Sequence, residues 1–140
     1  MKTLYTAGAH ATGGRDGKTV SSDGVVNVEL NKPKGLGGAE KAGTTNPEQL
    51  FAAGYAACFA GAVDFVAKQK KLAIGVVEVE SKVHIGLQDG GGLGLAAELA
   101  VKVPGVDRAT AEQLVKDAHQ VCPYSKATRN NVEVKLSVLD

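Results

Sequence analysis

No tryptophan occurs in this 140-residue chain, and aromatic residues amount to 4%, which argues against the stacking platforms that hold single-stranded nucleic acid. No charge of one sign dominates. Sixteen basic side chains stand against 15 acidic ones, for a net charge of +1 with no basic block, so phosphate backbones and anionic lipid surfaces are not the expected partners. Long hydrophobic runs are missing too. The longest uncharged apolar run, Leu50 to Val63, falls short of the roughly 20 residues a membrane-spanning helix needs. The opening stretch MKTLYTAGAHATGGRDGK has no apolar core of signal-peptide length, and the expectation is a soluble, cytoplasmic protein. Cysteine is scarce, at two residues. Without an export signal a structural disulfide is disfavoured, and catalytic or redox use of the thiols gains weight.

What is present is ordinary for a folded chain: 44% apolar and 22% charged residues, enough length for one core, and 18 glycines that require tight turns or close backbone approaches. The expectation is a single domain spanning residues 1–140. Residues 2–10 and 18–30 read as strands, with the alternation of VVNVEL at Val26, Val28 and Leu30, separated by the turn clusters TGGRDG and SSDG. The segment 31–43 reads as a loop. A long helix is predicted from about Pro47 to Lys70, with Asn46 as its N-cap or Thr45 and Glu48 as a capping box. Leu50, Phe51, Gly54, Cys58, Gly61, Ala62 and Phe65 share one face of it, and its alanine-rich opposite face predicts burial all round. Residues 76–87 and the run LGLAAELAVKVPG form a strand hairpin, Asp107 caps a second helix that Pro123 interrupts, and residues 132–139 form a last strand. This order predicts an α+β fold, with antiparallel sheets and helices covering one face.

Cys58 lies in the middle of the most apolar segment, NPEQLFAAGYAACFAGAVDF. Four roles are open to it: small core residue, metal ligand, half of a disulfide, or nucleophile. Cys122 falls on the inner face of its own helix, so two packed helices can bring the thiols together. Metal binding has little support, since only His119 makes a local pair with a cysteine, while His10 and His84 fall in strand patterns. A free thiol has a pKa near 8.5 and burial raises it, so a reactive Cys58 needs a cation. Arg15 is a candidate, carried by a glycine-rich turn that can fold closely onto another surface. Its plainer reading is a solvated loop arginine, as that of Glu48 is a carboxylate favoured at a helix start. Glu48 lies ten residues, about 15 Å, before Cys58 along the helix axis, too far for contact, but an arginine held by that carboxylate can span part of the gap.

NPEQLFAAGYAACF together with VCPYSKATRNN closely resembles the organic hydroperoxide resistance (Ohr) proteins of the OsmC/Ohr superfamily. The resemblance extends over essentially the whole chain, including the GGRDG and SSDG turns. It implies an OsmC/Ohr-like fold with sheets packed around a long central helix in an intertwined homodimer. It also implies a thiol peroxidase for organic, including fatty-acid, hydroperoxides. By the same resemblance Cys58 matches the peroxidatic cysteine, Cys122 the resolving one, and Arg15 and Glu48 the pair that activates the thiolate. No bound cofactor is implied; the reductant is dihydrolipoamide on a lipoylated protein, and neither nucleic acid nor membrane is a partner. Leu50, Phe51, Phe59 and Tyr124 are the apolar candidates for the substrate's alkyl group, with core packing as their plainer role. Two departures from the family pattern are GGAEKAGTTNPEQ before the helix and Asn130 where glycine is expected. The alternatives are an OsmC-type peroxidase with broader substrates and a non-catalytic acyl or lipid carrier with structural cysteines.

Overall fold

Strand pairing starts later than the sequence pattern predicts. In the computed structural model, which describes residues 1–140, the first strand is β1 (Ala9–Thr12), followed by β2 (Lys18–Ser21) and β3 (Asn27–Glu29). They form an antiparallel sheet in that order, with His10 opposite Val20 and Thr19 opposite Val28. The strand expected over 2–10 is thus corrected to its last residues. The Gly8 carbonyl, accepting from Ser22 N–H at 2.9 Å, is the first cross-strand bond, and Leu4 and Tyr5 before it are exposed with no strand of this chain beside them. The expected SSDG turn falls within 18–30, at Ser22–Val26, and divides that stretch into β2 and β3 of a meander.

The 140 residues expected as one domain fall into two units, Met1–Leu50 and Phe51–Asp140, each described on its own. In the first, a parallel bridge pairs Leu30 with Thr45, Asn31 N–H donating to the Thr45 carbonyl at 3.0 Å and Thr45 N–H to the Glu29 carbonyl at 2.9 Å. This lays the start of the long helix α1 (Pro47–Gln69) beside the end of β3. Asn46 caps α1 as expected, its Oδ1 accepting from Gln49 N–H at 2.8 Å. The alternative capping box does not form, because Glu48 is engaged elsewhere.

In the second unit, β4 (Glu78–Leu87) and β5 (Leu93–Lys102) make the expected hairpin, with Val83 opposite Ala97 and Ile85 opposite Leu95. The last strand, β6 (Glu133–Val138), joins β5 in parallel, Leu99 opposite Leu136. The α+β class therefore holds, with one parallel pair among the antiparallel ones. A parallel neighbour needs a crossover connection, and here it is helical: α2 (Arg108–Val121), capped by Asp107 through the Thr110 N–H at 2.9 Å, then α3 (Pro123–Thr128). The sequence reading treated Pro123 only as a breaker, but it occupies the first turn of α3, where its missing N–H costs nothing.

The core joins one stripe of α1 (Tyr55, Phe59, Val63, Val66) to Leu99 and Val101 of β5 and to Leu114, Val115 and Ala118 of α2. Full burial of each such side chain contributes about 1.5–3 kcal/mol. The expectation that α1 is buried all round is corrected: Ala53, Ala57, Gly61 and Phe65 are exposed, Phe65 at 51%. Alanine and glycine look alike on a covered and an uncovered helix face, so composition could not separate the two. The expectation of no segment long enough to span a bilayer is also qualified. The 23 residues of α1 have the length and apolarity to do so, but here its Tyr55–Ala67 stripe packs into a protein core.

Candidate active site

The first 50 residues build an ion pair. Between β1 and β2 the chain makes one turn of 3-10 helix, Gly14–Asp16, entered through left-handed Gly13 at φ 74°. Gly17 closes it, since a Cβ there would collide with the Thr12 carbonyl oxygen. Asp16 ties the turn down: Oδ1 accepts from Asn31 Nδ2 and Lys32 N–H, both at 3.0 Å, and Oδ2 lies 3.2 Å from Lys32 Nζ. Arg15 then meets Glu48 in a two-pronged contact, one terminal nitrogen donating to Oε2 at 2.8 Å and the other to Oε1 at 2.7 Å. The guanidinium's hydrogen bonds hold the Glu48 carboxyl below the usual carboxylate range against the opposing effect of its burial, and the same contact raises Arg15. The sequence reading placed these two residues together, and the structure does so.

The second group is the thiol pair. Cys122 is wholly buried at the corner between two helices, the C-cap of α2 and the N-cap of α3, with its N–H bonded to the Ala118 carbonyl at 2.8 Å and its carbonyl accepting from Lys126 N–H at 2.9 Å. Its sulfur lies 3.5 Å from that of Cys58, and both cysteines are free thiols. This is a contact between separate sulfurs, since a disulfide bond measures about 2.05 Å. Burial raises the Cys58 pKa most; the Tyr124 backbone N–H, donating toward the sulfur, draws it back, and Cys122 adds to the rise. Donation from the Cys122 thiol would favour a Cys58 thiolate, whereas a Cys58 proton shared with Cys122 opposes it; the net direction is upward.

The apolar candidates divide. Phe51 and Tyr124 form a tilted ring pair at 6.1 Å, with Phe51 half-buried and Tyr124 40% exposed. Phe59 is wholly buried between Tyr55 and the His119 ring, while Leu50 is half-buried at the end of the first unit. Gly54 leaves room for Tyr124, since a Cβ there would stand 3.0 Å from the phenol oxygen and press the ring aside. His119 turns Nδ1 toward Ser125 Oγ at 2.9 Å rather than toward a thiol, and no three His, Cys, Asp or Glu side chains converge as a metal site requires.

Sequence reasoning missed a loop carboxylate, a backbone donor and a set of buried hydroxyls behind the thiols. Asp16 looked like an ordinary turn residue, and its partner across the loop lies 16 positions away. The Tyr124 N–H has no side-chain signature, although a proline directly after Cys122 was a usable signal for a new helix start. The buried hydroxyls of Tyr55, Ser125 and Thr128 looked like core and loop residues.

The model of the OsmC-like protein family matches residues 38–137. An organic hydroperoxide resistance protein of Xanthomonas axonopodis pv. citri is 56% identical over 138 residues, covering 98% of this chain and 96% of that protein. OhrB of Bacillus subtilis, also an organic hydroperoxide resistance protein, is 46% identical over 138 residues, covering 96% of this chain and 98% of its own length. The crystal structure of an organic hydroperoxide resistance protein from Elizabethkingia anophelis superposes with a TM-score of 0.93 at 54% identity, over 100% of this chain and 99% of the other.

Proposed function

Since the chain belongs to the OsmC/Ohr superfamily, among the organic hydroperoxide resistance proteins, we propose that it protects against organic hydroperoxides as a two-cysteine thiol peroxidase. The observation that carries this reading is the 3.5 Å separation of two free thiols, one half-buried and one wholly buried. The Cys58 thiolate attacks one peroxide oxygen; the S–O bond forms as the O–O bond breaks, and the other oxygen leaves as an alcohol after taking a proton. Cys58 is then a sulfenic acid. Cys122 attacks its sulfur, water leaves, and the Cys58–Cys122 disulfide remains for an external dithiol, dihydrolipoamide of a lipoylated protein, to reduce.

Burial disfavours the Cys58 thiolate, so the first step calls for positive charge. We assign that task to Arg15, with Glu48 as the carboxylate that orients it. Its guanidinium also stabilises charge developing on the departing oxygen. Phe51 and Tyr124 offer apolar surface for an alkyl group and Phe59 supports it from within the core, with Leu50 a further apolar candidate, which favours organic hydroperoxides over hydrogen peroxide. No bound cofactor is needed. The exposed Ala53, Ala57, Gly61 and Phe65 face of α1 supports assembly as a homodimer. The dithiol state the cycle returns to fits the reducing cytoplasm.

Steady-state turnover with dihydrolipoamide tests the reading. The expected result is faster turnover of cumene hydroperoxide than of hydrogen peroxide, with Cys58→Ser inactive on both. Equal activity in Cys58→Ser would contradict it.

A further inference from the structure

Tyr55 and Cys58 are three residues apart on α1, and Cys122 and Ser125 are three apart across the α2–α3 corner. The two parts are therefore joined twice at matching intervals. Cys122 Sγ lies 3.5 Å from Cys58 Sγ, and Ser125 Oγ lies 2.9 Å from the Tyr55 phenol oxygen. Tyr55, Ser125 and Cys122 are wholly buried and Thr128 nearly so, which leaves water little part in the arrangement.

With Thr128 donating to the Ser125 carbonyl, the remaining donors and acceptors set one direction for the second join. Thr128 Oγ1 donates to the Ser125 carbonyl at 3.1 Å, which uses its one proton. Toward the Tyr55 oxygen, 3.2 Å away, Thr128 can then only accept, so Tyr55 donates. Having given its proton to Thr128, Tyr55 must accept from Ser125, and Ser125 must accept from His119 Nδ1 at 2.9 Å. One chain satisfies every contact: His119 to Ser125 to Tyr55 to Thr128, and back to the Ser125 carbonyl. It requires a proton on His119 Nδ1. If Ser125 donated to His119 instead, the Tyr55 and Ser125 oxygens would face each other with no proton between them. Beyond α3, the Arg129 guanidinium donates to the His119 carbonyl, so the chain is also tied at its His119 end.

We propose that Tyr55 is the positioning residue of the resolving step, holding the α2–α3 corner against α1 through Ser125, Thr128 and His119 so that Cys122 stays within reach of Cys58. The inference rests on the two-cysteine reading above. In the step it serves, the Cys122 sulfur bonds to the Cys58 sulfur as the S–O bond of the sulfenic acid breaks, and the hydroxyl leaves as water with the Cys122 proton. Closure competes with attack by a second hydroperoxide, which would carry Cys58 to sulfinic acid. Loosening the corner lengthens the exposure of the sulfenic acid, while the first step feels it only through the Tyr124 N–H that the same corner presents to Cys58.

Tyr55→Phe removes one oxygen and keeps the ring contacts to Phe51, Phe59 and Tyr124. Two assays read it. After mixing with cumene hydroperoxide, quenched intact-protein mass spectrometry is expected to show closure slowed on the order of tenfold relative to sulfenic acid formation, and more sulfinic acid at excess peroxide. In the absence of peroxide, the dithiol–disulfide equilibrium against the glutathione couple is expected to shift on the order of tenfold toward the dithiol. Thr128→Val should behave alike, while Thr128→Ser, which keeps the hydroxyl, should stay near wild type. That pair also decides the matter if Tyr55→Phe does not fold. The nitrogen NMR shifts of His119 should report a protonated Nδ1. Wild-type closure and wild-type equilibrium in Tyr55→Phe and Thr128→Val would overturn the proposal, as would a His119 protonated only at Nε2. If the wild-type protein does not react with hydroperoxide, the peroxidase reading falls, and the glutathione equilibrium still decides whether Tyr55 positions the thiols.

Discussion

A guanidinium carries five N–H donors, and Arg15 gives Glu48 two of its terminal ones, so the group can be held at one edge and still direct charge elsewhere. Lysine, a single point charge, cannot do both. On the proposal that Arg15 brings positive charge to the Cys58 thiolate, Arg15→Ala leaves only the Tyr124 N–H to oppose the burial that raises the Cys58 pKa. The pH profile of iodoacetamide alkylation at Cys58 should therefore move to higher pH, and the first oxidation step should slow by roughly 10²–10³, the scale of losing one preorganised charge-stabilising donor. Arg15→Lys should recover only part of this. The pair also has a pH limit with a definite sign. Glu48 has a folded pKa below its unfolded value, so its contribution is present above the unfolded value and is lost as pH falls through the folded one. Acid titration watched by carboxylate NMR should place that loss below the ordinary glutamate range; loss at or above it would contradict the pairing. Arg15, Glu48, Cys58 and Cys122 were legible because each carries a chemical type that needs explaining where it stands. Tyr55 was not, because a phenol on an apolar helix reads as packing until its oxygen is seen between the Ser125 and Thr128 hydroxyls, with the His119 ring beyond Ser125.

At the scale of elements, the helix starts were the most legible features, since Asn46 before Pro47 and Asp107 before Arg108 are capping chemistry written in the sequence. Asn46→Ala should cost about 1 kcal/mol and lower the melting temperature by about 4 °C in a calorimetric scan, without altering the thiol spacing. An unchanged melting temperature would mean the cap does no work for α1. Strand direction was less legible. The alternation of Val132, Val134, Leu136 and Val138 identifies a half-buried strand but says nothing of its partner, and the parallel pairing with β5 follows from the length and helicity of the α2–α3 crossover. Helix α3 was hidden by its shortness and by the double meaning of proline, which ends one helix and opens another.

For the whole molecule, the open question in the sequence was what covers the second face of α1. Ala53, Ala57, Gly61 and Phe65 lie at intervals of four, on an apolar face that the rest of the chain leaves exposed. On the proposed homodimer, Phe65→Asp should shift the sedimentation equilibrium from dimer toward monomer, whereas a wild-type protein that sediments as a monomer would contradict the assembly. The order of events at the two sulfurs is open to rapid-quench mass spectrometry with one equivalent of cumene hydroperoxide. A transient gain of one oxygen on Cys58 is expected in the Cys122→Ser protein, and in the wild type a rapid loss of two hydrogens as the Cys58–Cys122 disulfide closes. Unmodified thiols after exposure, or oxygen appearing first on Cys122, would contradict it.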